Sequence, residues 1–397
     1  MAPNNPLESS SPRRRLGELA TLFLKLGVVA FGGPAAHIAM MEDEVVNRRG
    51  WMDRQHFLDL VGATNLIPGP NSTEMTMHVG LERAGFAGLV TAGTCFILPA
   101  VFLTGTLAWA YVAFGTMPGA GGMLAGIQPA VVAVILGAVW RLGRPLLGDW
   151  RLPALACFVA AAAFGGLGEI WSILLGGALG TFWLAQRPGP GPGAAVLAPY
   201  PQLLHPATGT ALAATAGLAA TVPPGVAAIF LFFLKVGAVL YGSGYVLVAF
   251  LEGGLVDGHG WLTQSQLLDA VGIGQVTPGP VLSTATWVGY VIRGWPGAVA
   301  ATLGIFLPSF LLVALLNPII PRLRSSPWAA RFLDAVNAAA LALMVVVTVE
   351  LGRATLTSPV AWGIAAISGI LILKWRVNAA WIIVAAGLTG IALGLES

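Results

Sequence analysis

The chain has 397 residues, of which 56% are hydrophobic and 9% charged, and its formal net charge is +3. Soluble globular chains carry about 25% charged residues, so this one has too little polar surface to cover a globule and reads as an integral membrane protein. The small positive excess, with its basic residues gathered in connecting segments, sets membrane orientation and excludes nucleic acid as a partner.

The apolar runs are long, rich in Ala, Leu, Gly and Val, and do not alternate, which predicts spanning helices and excludes a barrel. Residues 1–15 are polar, end in Arg13-Arg14-Arg15, and read as a disordered cytoplasmic tail without the cleavage site of a signal peptide. From Leu16 an apolar helix carries Lys25, breaks at Phe31-Gly32-Gly33-Pro34, resumes to Met41 and gives way to Glu42-Asp43-Glu44. A basic segment with Arg48, Arg49, Trp51 and Arg54 leads into a mixed helix containing Asp59. Asn65-Leu66-Ile67-Pro68-Gly69-Pro70 then forbids a regular helix, because each proline removes a backbone donor and the glycine frees the chain to turn. Polar Ser72, Thr73, Glu74, Thr76 and His78 follow the break. Residues 86–114 are long enough to cross with tilt, 115–122 form an uncharged turn, and 123–140 cross again to Arg141 and Arg144. Residues 152–185 read as one long or two short spans. Cys95 and Cys157 lie in apolar runs and suggest neither a disulfide nor a metal framework.

The Pro/Gly-dense stretch at 186–206 divides the chain. This sets a first repeat at 16–185, a linker region at 186–222 and a second repeat at 223–397. Phe233-Leu234-Lys235 echoes Phe23-Leu24-Lys25, Glu252 echoes Glu42, Trp261 echoes Trp51, Asp269 echoes Asp59, and Gln275-Val276-Thr277-Pro278-Gly279-Pro280 echoes the proline break. The register is 278 − 68 = 210 residues, with 18 identities in the 48 positions from 23 to 70; after one deletion it continues at 209. Arg83 and Arg293 fall in register at 210 and read as interfacial anchors. In the first half Arg48, Arg49 and Arg54 mark the first loop and Arg141, Arg144 and Arg151 the third; in the second half Arg322, Arg324 and Arg331 mark the second, with Arg353 running against the count. The positive-inside bias therefore predicts that the halves insert opposite ways up, as an inverted-topology repeat of about 10–13 membrane segments with broken or re-entrant helices.

Such a repeat places two broken helices face to face near the bilayer midplane, where freed N–H groups and helix dipoles make an anion site. The backbone donors of 71–73 and 281–283, with hydroxyls of Ser72, Thr73, Ser283 and Thr284, are the expected ligands, unless the hydroxyls bond back to their own turn. Lys25 and Lys235 lie in apolar helices ahead of each Gly-rich break and are expected to offset an anion's charge, unless they snorkel to the headgroups. Glu42, Asp59, Glu74, Glu252 and Asp269 are candidates for proton coupling, because a carboxyl in a low-dielectric site can carry a proton. Glu74 and His78 share a helical face but lack a third ligand, so no metal is expected.

The Phe-Gly-Gly-Pro and Pro-Gly-Pro motifs, both duplicated, resemble those of the CHR (chromate ion transporter) family in its long, two-domain form, over nearly the whole chain. On that resemblance the family's motif residues are Phe31, Gly32, Gly33, Pro34, Asn65, Pro68, Gly69 and Pro70, with Gly242, Gln275, Pro278, Gly279 and Pro280 as second-half counterparts. The resemblance implies a cofactor-free transporter, not an enzyme. It would export chromate across the inner membrane, driven by membrane potential or a proton gradient, with homodimerisation open. Residues and spacing alone reach an anion-directed transporter. Sulfate or another inorganic anion is the alternative substrate, and an intramembrane enzyme the alternative class. Ser243-Gly244 and Gln275 depart from the family pattern, which makes the first-half motif the one expected to be more sensitive to mutation.

Overall fold

The computed structural model of the chain describes residues 11–31, 33–64, 67–115, 117, 119–186, 224–241, 244–317 and 326–395. All regular structure among them is helical. In the first half the helices are α1 (Pro12–Val29), α2 (Pro34–Glu42), α3 (Arg54–Thr64), α4 (Asn71–Phe114), α5 (Ala120–Gly143), α6 (Arg151–Phe164) and α7 (Glu169–Ala185). In the second they are α8 (Val226–Val239), α9 (Leu247–Leu251), α10 (Gln264–Val276), α11 (Thr284–Leu316), α12 (Pro327–Thr355), α13 (Pro359–Leu373) and α14 (Ala379–Ala392). Among the described residues four segments are long and apolar enough to cross a bilayer: Asn71–Phe114, Ala120–Gly148, Val281–Leu316 and Pro327–Thr355.

Local chemistry ends these helices where the motifs fall. α1 stops at Ala30, which is extended, and Pro34 starts α2 at the position where a missing N–H is harmless. α2 then widens into a π-helical turn at Asp43–Arg48, repeated in the second half at Glu252–Gly258. At the proline breaks Gly69 takes φ 145° and Gly279 φ 89°, values that a side chain resists.

Each break is the tip of a re-entrant hairpin, not a kinked crossing. His56, at the start of α3, lies 3.7 Å from Glu82 near the end of the first limb of α4, so the two limbs return to the same end of the molecule. The chain reverses again at Ala84 and Gly85, the latter at φ 63°, and a β-carbon on Gly80 or Gly88 would strike the other's carbonyl oxygen. The second half repeats this with Arg293 and Gly294 at the reversal and Gly289 against Gly297. These matches fix the register at 209 by residue 80 and correct the sequence alignment: Arg293 is the counterpart of Ala84, not of Arg83. The lost residue lies just after the second break, which opens with a 3-10 turn at Val281–Ser283 where the first copy is α-helical. A 3-10 turn rises about 2.0 Å per residue against 1.5 Å, so fewer residues gain the same height.

The halves are inserted in opposite senses. Gly93 lies against Phe310 and Gly105 against Trp295, so the long limbs of α4 and α11 run antiparallel. Tyr111, at the far end of α4, donates to buried Asp269 in the middle of α10 (3.0 Å). At the centre the Gly69 N–H donates to the Leu240 carbonyl (2.7 Å) and the Gly279 N–H to the Ala30 carbonyl (2.9 Å), one bond being the two-fold image of the other. Arg48, Arg49, Arg54, Arg83, Arg141, Arg144 and Arg151 gather at one end, and Glu169, Glu252, Asp257 and Glu350 at the other, with Arg293 and Arg353. Arg322 and Arg324 lie outside the described residues. Trp183 bonds Arg151 at the basic end (3.4 Å), and Pro224 accepts from Arg293 at the opposite one (2.9 Å). α7 therefore ends and α8 begins at opposite ends of the bundle, as opposite insertion requires.

The glycine contacts are directly testable. Gly80→Ala, Gly88→Ala and Gly289→Ala should each lower the melting temperature of detergent-solubilised protein, at a cost of about 1–3 kcal/mol. Gly17→Ala and Gly363→Ala, where a β-carbon meets nothing within 4 Å, should leave it unchanged or slightly raised.

Candidate functional site

A cavity of about 610 Å³ runs from the basic end to the centre. Its inner wall is built from the two breaks, by Ala30 and Gly33 of the first half and Gln275, Thr277 and Gly279 of the second. Its mouth carries Arg141, Arg144 and Arg376. Arg141 sits in the last turn of α5, where a cation complements the helix dipole, and its Nε donates to the Gly137 carbonyl (3.3 Å). Arg376 occupies the loop between α13 and α14 with φ 52°, a conformation that costs a non-glycine residue about 1 kcal/mol or more. Asn378 caps α14 by accepting from the Ala380 N–H (3.0 Å), which brings that helix's positive end to the cavity wall.

Gln275 is the polar group at the depth of the proline break. Its Oε1 accepts from the Tyr245 hydroxyl (3.0 Å), while its Nε2 is buried with no partner among the described residues. A buried donor left unmatched costs about 1–3 kcal/mol, a penalty that an incoming oxygen would remove. Three cations and a helix N-terminus thus line one open volume, with an unmatched amide donor buried in its wall, which is the chemistry of oxyanion binding.

Of the expected site residues, Gly33, Gln275 and Gly279 line this cavity. Gly32, Asn65 and Gly242 lie outside the described residues. Pro34 starts α2, and Pro68, Gly69, Pro70, Pro278 and Pro280 form the buried tips. Of the expected backbone donors, the Thr73 and Ser283 N–H groups are used within their own turns, to Pro70 (2.8 Å) and Pro280 (3.0 Å). Ser72 bonds His37 (3.2 Å), Ser283 accepts from Thr104 (3.2 Å) and Thr284 bonds back to Val281 (2.8 Å); only the Thr73 hydroxyl, fully buried, lacks a partner among these four. The lysines are placed otherwise than expected. Lys25 is 55% exposed and paired with Glu44 (2.8 Å), and Lys235 is exposed; neither lines the cavity. α2 folds back along α1, so a lysine deep in the sequence of a helix meets the carboxylate of the next turn.

The carboxyls separate into classes. Glu42 pairs with Arg54 (2.9 Å), Asp59 is bonded by Gln55 (3.3 Å), and buried Asp269 accepts from Tyr111 (3.0 Å) and Gln128 (3.2 Å). Glu74 is fully buried behind the first tip, with the Ser309 hydroxyl set against it and no hydrogen bond of ordinary geometry to either oxygen among the described residues. His78 is equally buried, with no third ligand beside this pair among the described residues.

The sequence model of the Chromate transporter family matches residues 17–181 and again residues 227–391. The chain belongs to the chromate transporter family. A chromate transport protein of Pseudomonas aeruginosa is 33% identical over 395 residues, covering 96% of this chain and 94% of that one. The chromate transport protein of Cupriavidus metallidurans is 29% identical over 375 residues, covering 92% and 90%. No solved structure matches the chain. Sequence reasoning missed the arginines because Arg141 and Arg144 read as loop markers. The signal was a break in the repeat: at a register of 209 Arg141 corresponds to Glu350 and Arg376 to Leu167, and a charge that ignores the symmetry has its own reason to be there.

The Lys25–Glu44 pair makes a stability prediction. The Lys25 ammonium, with Arg49 and Arg48, holds the Glu44 carboxyl below the ordinary carboxylate range. That stabilisation is present above the unfolded value of about 4.3 and is lost as pH falls through the lower folded value. Lys25→Ala should therefore lower stability at pH 7 by up to about 1 kcal/mol, the figure for a half-exposed pair. The difference from wild type should shrink in unfolding measurements below about pH 4.

Proposed function

We propose that the protein exports chromate from the cytoplasm across the inner membrane as a secondary transporter. The observation that carries this reading is the arginine cavity ending at the unpartnered Gln275 amide, in a chain of the chromate transporter family. By the positive-inside bias the basic end faces the cytoplasm, so the cavity is the cytoplasmic entrance. A tetrahedral dianion enters past Arg141, Arg144 and Arg376 and is received between the two breaks by Gln275 and the α14 N-terminus. Sulfate, of the same shape and charge, competes for this site.

The membrane potential supplies the driving force. Moving each charge out is favoured by about 2.3 kcal/mol per 100 mV, inside negative, and a dianion carries two. Rocking of the halves about their shared centre closes this entrance and opens the other side. Of the five candidate carboxyls, Glu74 and Glu252 keep the proton-coupling reading. Both are buried with an oxygen that finds no partner among the described residues, and burying an unmatched charge costs several kcal/mol unless a proton or a partner is supplied.

The reading is tested with labelled chromate in inverted vesicles under an imposed potential. Arg141→Gln, Arg376→Gln and Gln275→Ala should each raise the half-saturating chromate concentration by about tenfold or more, the loss expected when a charge-assisted or buried hydrogen bond disappears. Lys25→Ala should leave it unchanged. Wild-type affinity in all three cavity variants would sink the assignment. A second assay asks whether uptake stops on replacing Glu74 with Gln while chromate still binds, as expected if this carboxyl works in the transport cycle and not in recognition.

A further inference from the structure

The two-fold relation that pairs the halves also pairs two cavities. At the end away from the arginines, a second cavity of about 350 Å³ lies between the α6–α7 turn, the π-helical turn at Glu252–Gly258 and the last turns of α12. It is the arginine cavity carried over by the repeat: Ala163 stands for Ile372, Leu343 for Val134, Glu350 for Arg141 and Glu169 for Asn378. The scaffold is kept and the charge is reversed. Glu169, Glu252, Asp257 and Glu350 all line it. Such a lining repels an oxyanion and attracts a cation. Among the described residues no group of three His, Cys, Asp or Glu side chains converges to hold a metal ion, and a proton is a cation that one carboxyl binds alone.

Glu252 is the group aimed at this space. It is 3% exposed; Gln264 donates to its Oε1 (2.9 Å), and its Oε2 has no partner among the described residues. Its first-half counterpart, Glu42, is held by Arg54, and the residue at that place in the second half is Gln264. The repeat has therefore exchanged a cation for a neutral donor at this carboxylate. The charged and titratable groups around it are Glu169 on α7, Glu350 and Arg353 on α12, Lys235 on α8, and Asp257 and His259 on its own segment. His259 is turned to the Gly254 carbonyl (2.6 Å).

We propose that this cavity is a proton-binding site on the face opposite the arginines, with Glu252 as the acceptor. Water on that face supplies the proton, an O–H bond forms at Oε2, and the carboxylate becomes a neutral acid. The purpose of the site, a proton moving inward as the oxyanion moves outward, rests on the transport reading above; its occupancy does not.

The test uses the full chain in liposomes and two readouts. Infrared difference spectra should show a carbonyl band of protonated carboxylic acid growing as pH falls. Glu252→Gln should remove that band, and Glu169→Gln should keep it with about tenfold lower proton affinity, because a neighbouring negative charge is gone. In the same vesicles, chromate flux should respond to pH on the face opposite the arginines, and E252Q should lose that response while chromate affinity on the arginine face stays within about twofold. A band that survives in E252Q, or a flux that still responds, overturns the proposal. If the wild type carries no chromate yet the band titrates and vanishes in E252Q, the transport reading falls and the proton site stands. Should E252Q not fold, Glu350→Gln decides: its midpoint must move to lower pH, and an unmoved midpoint overturns the site.

Discussion

Two hydrogen bonds at the centre of the molecule make the rest of it possible. A broken helix in hydrocarbon exposes backbone groups that water cannot reach, each at a cost of several kcal/mol. Here the amide at each proline tip is taken up by the carbonyl at the other half's Gly-rich break, Gly69 to Leu240 and Gly279 to Ala30. Each irregular segment is satisfied by its symmetry mate. Four breaks can therefore meet near the midplane, where a straight helix would leave no room for a cavity.

On this symmetric frame the chain builds an asymmetric lining. Glycines that set backbone approach are repeated in both halves: Gly80 with Gly289, Gly88 with Gly297, Gly69 with Gly279. Most charges that face the two cavities are not repeated: Arg141 answers to Glu350, Arg376 to Leu167 and Glu169 to Asn378, whereas Arg144 recurs as Arg353 and Glu252 as Glu42. Symmetry is kept where packing demands it and abandoned where a solute is met, so polarity in a transporter with two equivalent halves resides in the residues that differ between them.

Much of the architecture was legible from residues alone. Lys, Glu, Asp, Trp and Pro-Gly-Pro do not align in one register by chance, so the duplication could be read directly, and the arginine count in the loops pointed to its inverted sense. Whether Pro68–Pro70 marked a kink or a hairpin tip could not, because periodicity specifies a helix but not the direction in which the next one leaves. The place of the deletion was hidden for a related reason: too few identities follow Pro70 to show that a 3-10 turn had replaced an α-helical one. The site was legible only in part. Gln275 and the glycines at the breaks are local features. The cavity mouth is a meeting of α5 with a loop more than 200 residues away in sequence, 376 − 141 = 235, and no spacing rule connects them. Lys25 misled because its depth in a hydrophobic run differs from its depth in the folded molecule once α2 doubles back.

The exchanged tip bonds bear on how the protein is made. The first half leaves the ribosome with Gly69 and Ala30 facing partners that are still about 200 residues from being synthesised, and chains lengthen at about 5–20 residues per second. For some tens of seconds the first hairpin must keep its amide hydrated or wait shallow in the interface. Its final seating is a late, long-range event that the arrival of the second half completes.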